Sequence, residues 1–252
     1  MAINIRKPVE IDKLREANRI VAEVLNLLRS HAKEGVSLLE LDHIAEDYIR
    51  SRSARPAFKG LYGFPNTLCT SLNRVIIHGI PTDYKLQNGD ILGVDVGSEL
   101  DGYYGDGAMT LGIGAISHDD SNLIACAKDA LTESIDFIRA GMRFKELSYF
   151  LEQFILSRGF VPLKDFCGHG IGKKPHEEPE VPNYLNGNNP RQGPKIKDGM
   201  VFCIEPMVCH TDGTPQILDD KWSVVAADGL NGSHYEHTIA IVGGRAEILT
   251  RE

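Results

Sequence analysis

Hydrophobic residues recur three or four positions apart in four segments of this chain, so that each segment has one apolar face typical of a helix. These segments are residues 9–30, 37–52, 120–140 and 145–158. The second opens on Ser37 followed three positions later by Glu40, the pattern of a capping box, and the fourth is stopped by Gly159. We therefore predict four amphipathic helices in two successive pairs.

A β-hairpin is predicted between the helix pairs, because two strand-like segments each carry one aspartate. The segments are DILGVDVG at 90–97 and YYGDGAMTLG at 103–112. A turn centred on residues 100–101 would place Asp95 and Asp106 directly opposite each other, whereas the stronger Asp-Gly turn at 101–102 makes them diagonal neighbours on one face. Either register brings like charges together. We interpret the pair as part of a divalent metal site.

The second half of the chain follows the plan of the first. Each half has two helices, a His-Gly-Ile sequence, an acid six residues after a glycine, and a further strand with a second acid. The acids are Asp95 and Asp106 in the first half and Glu205 and Glu236 in the second. We predict one α/β (α+β) domain over residues 1–252, built as an internal duplication with halves of roughly 1–115 and 116–252.

Composition limits the partners of the protein. The formal net charge is -8 and Lys and Arg are dispersed, which argues against the basic stripe of a nucleic-acid-binding surface. The five cysteines include no CxxC pair, so neither a disulfide framework nor a four-thiolate zinc site is indicated. The N-terminal segment lacks the apolar stretch of a signal peptide, and no apolar run approaches the ~18 residues of a membrane span. We expect a cytoplasmic protein without a membrane or sequence-specific nucleic-acid partner.

Glu205 and Glu236 lie beside apolar runs, where an ionised carboxylate is costly unless it is paired or metal-bound. The alternative is a salt bridge, but neither Lys nor Arg occurs at 199–220 or 222–244, so a partner would have to come from elsewhere. With the aspartate pair and His169, these acids form an oxygen-rich set with one nitrogen, which suits two borderline divalent ions. Two such ions activate water and polarise a carbonyl, so hydrolysis is the predicted chemistry.

Five segments agree in order and spacing with type I methionine aminopeptidases of the bacterial kind, and together they span nearly the whole chain. They are SLNRVIIHGIP (71–81), DVGSELDGYYGD (95–106), CGHGIGKKPHEEPEVPNY (167–184), DGMVFCIEPMV (198–208) and SHYEHTIAIV (233–242). The chain resembles this family, and the resemblance implies the pita-bread fold, whose pseudo-twofold symmetry matches the duplicated plan. It also implies removal of the initiator methionine from nascent proteins and peptides, preferentially when the second residue is small.

The resemblance further implies a dinuclear centre. Its ligands would be Asp95, Asp106, His169, Glu205 and Glu236. Asp95 would hold one ion, and His169 with Glu205 the other. Asp106, also on the first ion, would bridge both together with Glu236. The ions would be Co²⁺, Mn²⁺, Fe²⁺ or Zn²⁺, and the sequence does not determine which.

Substrate would be contacted by two histidines and an apolar pocket. Glu205 would relay a proton of the attacking water, His78 would lie near the leaving amine, and His176 near the scissile carbonyl or amide, where it can stabilise developing charge. The pocket for the methionine side chain would be formed by Phe58, Leu61, Phe64, Cys69 and Trp222. N-terminal peptides as substrates, a monomer, transient ribosome association and one monovalent cation near Asn73 are further expectations.

Three departures from the family's pattern concern the surroundings of the site. Leu61 and Phe64 stand where tyrosines are common, Pro175 where an aromatic residue is common, and Gly107 where a hydroxyl residue usually follows the aspartate. We expect these changes to alter the size or stiffness of the pocket walls and to remove a hydrogen bond beside Asp106. The histidines that flank Glu236, and are expected to support the ligands, are His234 and His237.

Three alternatives compete with a type I methionine aminopeptidase. Xaa-Pro aminopeptidases and prolidases share the fold but usually carry a large N-terminal domain, for which 252 residues leave no room. Type II methionine aminopeptidases have a long helical insertion, which the 31 positions from Glu205 to Glu236 cannot hold. A metal-free binding module on a peptidase scaffold would be expected to have lost ligands, and here all five are present.

Overall fold

The computed structural model describes residues 3–251, and it confirms the four predicted helices with ends within three residues of the predicted ones. They are α1 (Pro8–His31), α2 (Leu38–Ser51), α3 (His118–Phe137) and α4 (Phe144–Ser157). The capping box of α2 is formed: the Glu40 N–H donates to Ser37 Oγ at 3.1 Å, and the Ser37 N–H donates to the Glu40 carboxylate at 2.6 Å. Ser117 caps α3 by accepting the Asp120 N–H at 3.0 Å. Local hydrogen bonds thus decide where these two helices begin.

Three sheets accompany the helices in the described part of the chain. Their strands are β1 (Arg55–Pro56), β2 (Leu68–Leu72), β3 (Val75–Ile77), β4 (Ile91–Leu100), β5 (Tyr103–Gly112), β6 (Val161–Pro162), β7 (Cys167–Gly170), β8 (Glu177–Pro182), β9 (Val201–Ile204), β10 (Met207–Cys209), β11 (Pro215–Ile217), β12 (Val224–Ala226), β13 (Gly232–His234), β14 (Glu236–Val242) and β15 (Arg245–Ile248). A short 3₁₀ turn, Leu61–Gly63, lies between β1 and β2. The largest sheet has the order β1-β4-β5-β14-β9-β7-β8, with β2 paired to β4 and β15 to β14, and the smaller sheets are β13-β10-β6 and β11-β12-β3.

The largest sheet joins the two halves of the chain at its centre. There β5 of the first half pairs antiparallel with β14 of the second, and β4 and β9 flank this junction as the partners of β5 and β14. Helices α1 and α2 pack on the strands of the first half in one apolar cluster, and α3 and α4 pack on those of the second half in another. This arrangement has the pseudo-twofold plan predicted from the repeated order of motifs.

Helix α1 lies directly against β5 because Gly105 has no side chain. A Cβ at Gly105 would come within 2.8 Å of the Asn18 backbone nitrogen. Asn18 uses this proximity, since its Oδ1 accepts the Asp106 N–H at 3.2 Å while its Nδ2 donates to the Leu14 carbonyl at 2.9 Å. The helix therefore supports, from behind, the part of the strand that carries Asp106.

Apolar packing rather than covalent cross-linking stabilises this fold. All five cysteines are free, as their spacing predicts, and all but the half-buried Cys167 lie in the interior. Among residues 3–251, no helix combines the length and the apolar character needed to cross a membrane.

Candidate metal centre

The hairpin of β4 and β5 turns on Asp101 and Gly102, whose φ angles of 53° and 78° are both positive, as a type I′ turn requires. Asp95 consequently lies opposite Ala108, and Asp106 lies opposite Gly97. Of the two registers left open by the sequence, the structure therefore has the second, with the aspartates as diagonal neighbours on one face. The Oδ1 atoms of both are buried without a hydrogen-bond partner among residues 3–251.

Glu236 joins this pair through a row of residues that crosses three strands. Ala108 is the partner of both Asp95 on β4 and Glu236 on β14, so a single methyl group separates the two acids along the row. Glu236 Oε1 is also buried without a partner in the described part of the chain. Glu205 lies one residue beyond the end of β9, and one of its carboxylate oxygens lies within 4.8 Å of a carboxylate oxygen of Glu236.

His169 on β7 directs a lone pair at these carboxylates. Its Nδ1 lies 3.1 Å from the Gly170 carbonyl, which can only accept, so Nδ1 carries the proton and Nε2 does not. Nε2 is 3.5 Å from Glu205 Oε1 and 4.0 Å from Asp106 Oδ2. Burial lowers the pKa of His169 to about 3, and the ring is neutral. A lone pair facing ionised carboxylate oxygens is repulsive unless a proton or a metal cation lies between them.

The four carboxylates cannot all ionise without compensation. Burial raises the pKa of Asp95 to about 7. Burial, and then the neighbouring carboxylates, raise the pKa of each of the other three well above its usual range; these are Asp106, Glu205 and Glu236. Within residues 3–251 the side-chain nitrogens that lie within 4.0 Å of these carboxylates belong to His169 and His234, whose pKa values burial lowers to about 3, and not to Lys or Arg, so the salt-bridge alternative is absent. Unpaired oxygens, one imidazole lone pair and excess negative charge fit divalent cations.

The Cys203 side chain also lies at this centre. Cys203 Sγ and one ligand atom each from Asp106, His169 and Glu236 all lie within 4.8 Å of one another. Sequence reasoning missed Cys203, although it precedes Glu205 by two positions, a spacing that shares one face of a strand. Burial raises the pKa of Cys203 well above its usual value, which keeps it a thiol.

The two histidines that flank Glu236 in sequence have different surroundings. His234 Nε2 is buried, has no hydrogen-bond partner among the described residues, and lies 3.7 Å from Glu205 Oε2. His237 Nδ1 instead forms a 2.7 Å hydrogen bond with Thr250 Oγ1. His234 is therefore placed to contact a carboxylate of the centre, as expected, whereas His237 contacts the C-terminal segment.

The carboxylates line a cavity of about 730 Å³. Every position predicted from the sequence to carry the site lines it: Phe58, Leu61, Phe64, Cys69, His78, Asp95, Asp106, His169, His176, Glu205, Trp222 and Glu236. The five predicted pocket residues form one apolar cluster, in which Leu61 and Trp222 pack against three buried side chains. The rings of Phe64 and Trp222 meet edge to face at 5.1 Å.

His78 reaches the cavity through an unusual backbone. Its φ of 60° is in the left-handed region, and it precedes Gly79, where a Cβ would lie 2.2 Å from the Thr70 carbonyl oxygen. The Thr70 N–H donates to the Gly79 carbonyl at 2.7 Å, so the chain runs against β2 only because position 79 is glycine. Burial, and then the charge of His176, lower the pKa of His78 to about 4.

Aromatic residues that sequence reasoning missed complete the cavity. Phe166 meets the His78 ring edge to face at 5.7 Å, and Tyr62 lies parallel to the His176 ring at 6.0 Å. The His176 ring in turn meets His169 edge to face at 4.5 Å. No periodic or motif signal marks these two residues, because they reach the cavity from irregular segments.

Close packing explains why a glycine, Gly107, follows Asp106. A Cβ at Gly107 would lie 3.1 Å from Val21 Cγ1 and 3.3 Å from Thr250 Cγ2. A hydroxyl residue there would require the Val21 and Thr250 side chains to move by a few tenths of an ångström. Asp106 nevertheless accepts a hydrogen bond from a hydroxyl group on another strand, since Thr238 Oγ1 donates to its backbone carbonyl at 2.8 Å.

Without metal, the protein is expected to lose stability as the pH rises above 7. The raised pKa values of the buried carboxyls mean that the folded state holds protons that the unfolded chain has released. Each such group lowers the unfolding free energy by up to about 1.4 kcal/mol per pH unit until the pH passes its folded pKa. Below pH ~6.5, the buried histidines oppose this trend, because their lowered pKa values favour proton uptake by the unfolded chain.

Urea unfolding between pH 7 and 9, with a chelator and with Mn²⁺, measures this effect. Metal should remove most of the slope, since bound cations stabilise the ionised carboxylates. Equal slopes with and without metal would contradict the assignment of these acids as ligands.

Comparison with known proteins identifies relatives over the full length of the chain. The profile of metallopeptidase family M24 matches residues 12–242. The methionine aminopeptidase of Helicobacter pylori is 66% identical over 251 residues, which cover 99% of this chain and 99% of that protein. The crystal structure of methionine aminopeptidase from Thermotoga maritima matches with a TM-score of 0.96 at 34% identity, covering 100% of both chains.

Prolidases share the fold at lower similarity. The prolidase from Pyrococcus furiosus matches with a TM-score of 0.79 at 22% identity, over 98% of this chain but 65% of the prolidase. At this identity the likeness concerns the fold alone. The predicted pita-bread fold is confirmed by both structural matches and by the family profile.

Proposed function

This chain belongs to the methionine aminopeptidases of metallopeptidase family M24, and we propose that it removes the initiator methionine from newly made proteins whose second residue is small. Release of N-terminal methionine by a metal-dependent hydrolase follows from the membership itself. The finer proposal rests on one observation: four carboxylates, two buried and two half-buried, and the His169 lone pair converge in a cavity that also has an apolar cluster in its wall.

We propose that two divalent ions are held by the five ligands expected from the resemblance. Asp106 suits a shared position, because its Oδ2 lies near His169 while its Oδ1 is buried without a partner among residues 3–251. When bound, two such cations lower the pKa of water and polarise the scissile carbonyl. A monovalent cation near Asn73 stays a prediction. The Asn73 side-chain amide is hydrogen-bonded at both ends: its Nδ2 donates to Asp90 Oδ1, and its Oδ1 accepts the Ile91 N–H.

Glu205, His78 and His176 are proposed to act on the substrate. Glu205 lies next to the ligand His169 and, once ionised, can take a proton from the attacking water and pass it to the leaving amine. Burial lowers the pKa of both His78 and His176, so their rings are neutral near pH 7. A neutral imidazole can donate an N–H to the scissile group without introducing a charge that would repel the cations.

The apolar cluster is proposed to bind the methionine side chain. Phe58, Phe64 and Cys69 are buried, with exposed fractions of 8%, 4% and 5%, and they leave a surface without a charged group of their own. A thioether can fill an irregular apolar site and contact aromatic rings favourably. Leu61 and Phe64, where tyrosines are common in the family, make this wall less polar than theirs.

The two halves are proposed to act as one catalytic domain over residues 1–252. Supporting this, Asp95 and Asp106 come from the first half, whereas His169, Glu205 and Glu236 come from the second. Neither half alone holds the ligand set. We further propose that the enzyme acts as a cytoplasmic monomer on N-terminal peptides, with transient ribosome association giving access to nascent chains.

Methionine release from short peptides tests the function. Protein loaded with Co²⁺, Mn²⁺ or Fe²⁺ should release methionine from Met-Ala-Ser and Met-Gly-Ser, and much more slowly from Met-Leu-Ser, while Leu-Ala-Ser should lose no residue. Chelation should abolish release, and restoring the metal should recover it. A folded protein that binds metal but releases no methionine would refute the proposal, and one that binds no metal would favour the metal-free binding module.

A further inference from the structure

We propose that Tyr62 is a specificity-determining residue that contacts the second residue of the bound peptide and limits its size. This inference rests on the proposed function and names a wall of the same site. Tyr62 lies outside the five pocket residues expected from the resemblance and has no assigned role there. Its position, its backbone and its surroundings each support the inference.

The position of Tyr62 follows from a line of rings that leads out of the metal centre. His169 is next to Glu205, the His176 ring meets His169 at 4.5 Å, and the Tyr62 ring lies parallel to His176 at 6.0 Å with an interplanar angle of 9°. If His176 lies beside the scissile amide, the peptide beyond that amide passes the next ring outward. That part of the peptide begins with its second residue.

The loop of residues 58–64, which carries Tyr62, also contributes to the proposed methionine pocket, but through other residues. Phe58 and Phe64, at the two ends of the loop, are buried in the apolar cluster, whereas the Tyr62 side chain between them is 76% exposed. Both the cluster and Tyr62 nevertheless line the cavity. The loop thus presents its ends to the first residue of the substrate and its tip to the second.

The backbone holds Tyr62 at this tip. Tyr62 has φ 51° and ψ 16°, a left-handed conformation that bulky residues rarely adopt, between Gly60 at φ 89° and Gly63 at φ 92°. Two hydrogen bonds close the loop, from the Gly60 N–H to the Phe64 carbonyl at 2.8 Å and from the Phe64 N–H to the Leu61 carbonyl at 2.9 Å. A strained position persists when its surroundings determine it, and such positions cluster at functional sites.

An aromatic ring at this point also compensates for a departure in the sequence. Pro175, which precedes His176, stands where the family commonly has an aromatic residue, and the lining of the cavity includes Lys174 and His176 but not Pro175. Tyr62 supplies an aromatic surface beside His176, but from the loop between β1 and β2. Its hydroxyl has no hydrogen-bond partner among residues 3–251, so the ring, rather than the hydroxyl, is expected to act.

Competition between peptides that differ at the second residue tests this role. Tyr62→Ala should raise the ratio of kcat/KM for Met-Leu-Ser to that for Met-Ala-Ser by about 10-fold or more, since a hydrophobic wall commonly discriminates by that factor. Tyr62→Phe should keep the wild-type ratio, because the ring is retained. Inhibition by free methionine, which has no second residue, should be the same in all three proteins.

Matched controls separate this role from a general defect. Tyr149→Ala removes another exposed tyrosine, on α4 and away from the cavity, and should leave the ratio unchanged. If wild type releases methionine from Met-Ala-Ser but Tyr62→Ala keeps the wild-type ratio, this inference is overturned while the proposed function stands. If Tyr62→Ala weakens methionine inhibition as much as peptide turnover, Tyr62 is a support of the methionine pocket, which also overturns it. Absence of release from every peptide by wild type overturns both.

Discussion

Asp106→Asn is expected to abolish metal binding and catalysis together while making the metal-free protein more stable. Asp106 is 4% exposed, and its Oδ2 lies 4.0 Å from the Nε2 lone pair of His169. Residues that only orient a metal ligand typically contribute 10–100-fold in affinity, so loss of a shared ligand should weaken binding by about 100-fold or more. Methionine release should fall at least as much.

The gain in stability has an electrostatic cause. Burial and the charges of Glu236 and Asp95 raise the pKa of Asp106 well above its usual range, so its ionised form destabilises the fold at high pH. An amide of the same shape removes that charge, and at pH 9 the metal-free variant should be more stable than wild type by about 1 kcal/mol or more. Urea unfolding with a chelator measures the gain, and elemental analysis measures the metal.

Asp83→Asn is the matched control, because Asp83 is exposed and does not line the cavity. It should keep metal, activity and stability. Wild-type activity in Asp106→Asn would refute a shared ligand at this position. Loss of metal without any gain in stability would refute the electrostatic account.

Glu205→Gln is expected to lower kcat by about 10²–10⁴-fold, the usual contribution of a positioned acid or base. Glutamine keeps the shape of the side chain but cannot carry a proton from water to the leaving amine. The apolar cluster of Phe58, Phe64 and Cys69 is untouched, so inhibition by free methionine should change little. Single-turnover assays at saturating Mn²⁺ measure the chemical step.

Two further variants test whether the loss of rate comes from the missing carboxylate at position 205. Glu205→Asp restores a carboxylate at a shorter reach and should recover part of the rate, whereas Glu133→Gln, on the exposed face of α3, should have no effect. Because Glu205 is also an expected ligand, metal content is measured in each protein. A fully metallated Glu205→Gln enzyme with wild-type kcat would exclude the proton-relay role.

The helices could be predicted because their signals are local. Ser37 and Glu40 form the predicted capping box within one turn, and the apolar faces of α1 and α4 follow from periodicity alone. The hairpin was predictable as an element but not in its register, since Leu100-Asp101 and Asp101-Gly102 turns both satisfied the pattern. The positive φ angles of Asp101 and Gly102 decided it.

Two aromatic residues from irregular segments, Tyr62 and Phe166, were not predicted. Tyr62 lines the cavity because two glycines allow a left-handed loop, and Phe166 does so because the chain before β7 turns toward His78. Neither has a periodic or charge signal. Cys203 had a weak signal, its two-residue spacing from Glu205, which sequence reasoning passed over.

By itself, the sequence determined the helices, the duplicated plan and the set of residues expected at the metal centre, because these depend on spacing within short motifs. Only the tertiary structure decided that Ala108 places Asp95 and Glu236 in one row, that His169 aims a lone pair at Glu205, and that Tyr62 lines the cavity beside the His176 ring. These are contacts between residues far apart in the chain, and side-chain packing across strands, rather than any local preference, establishes them.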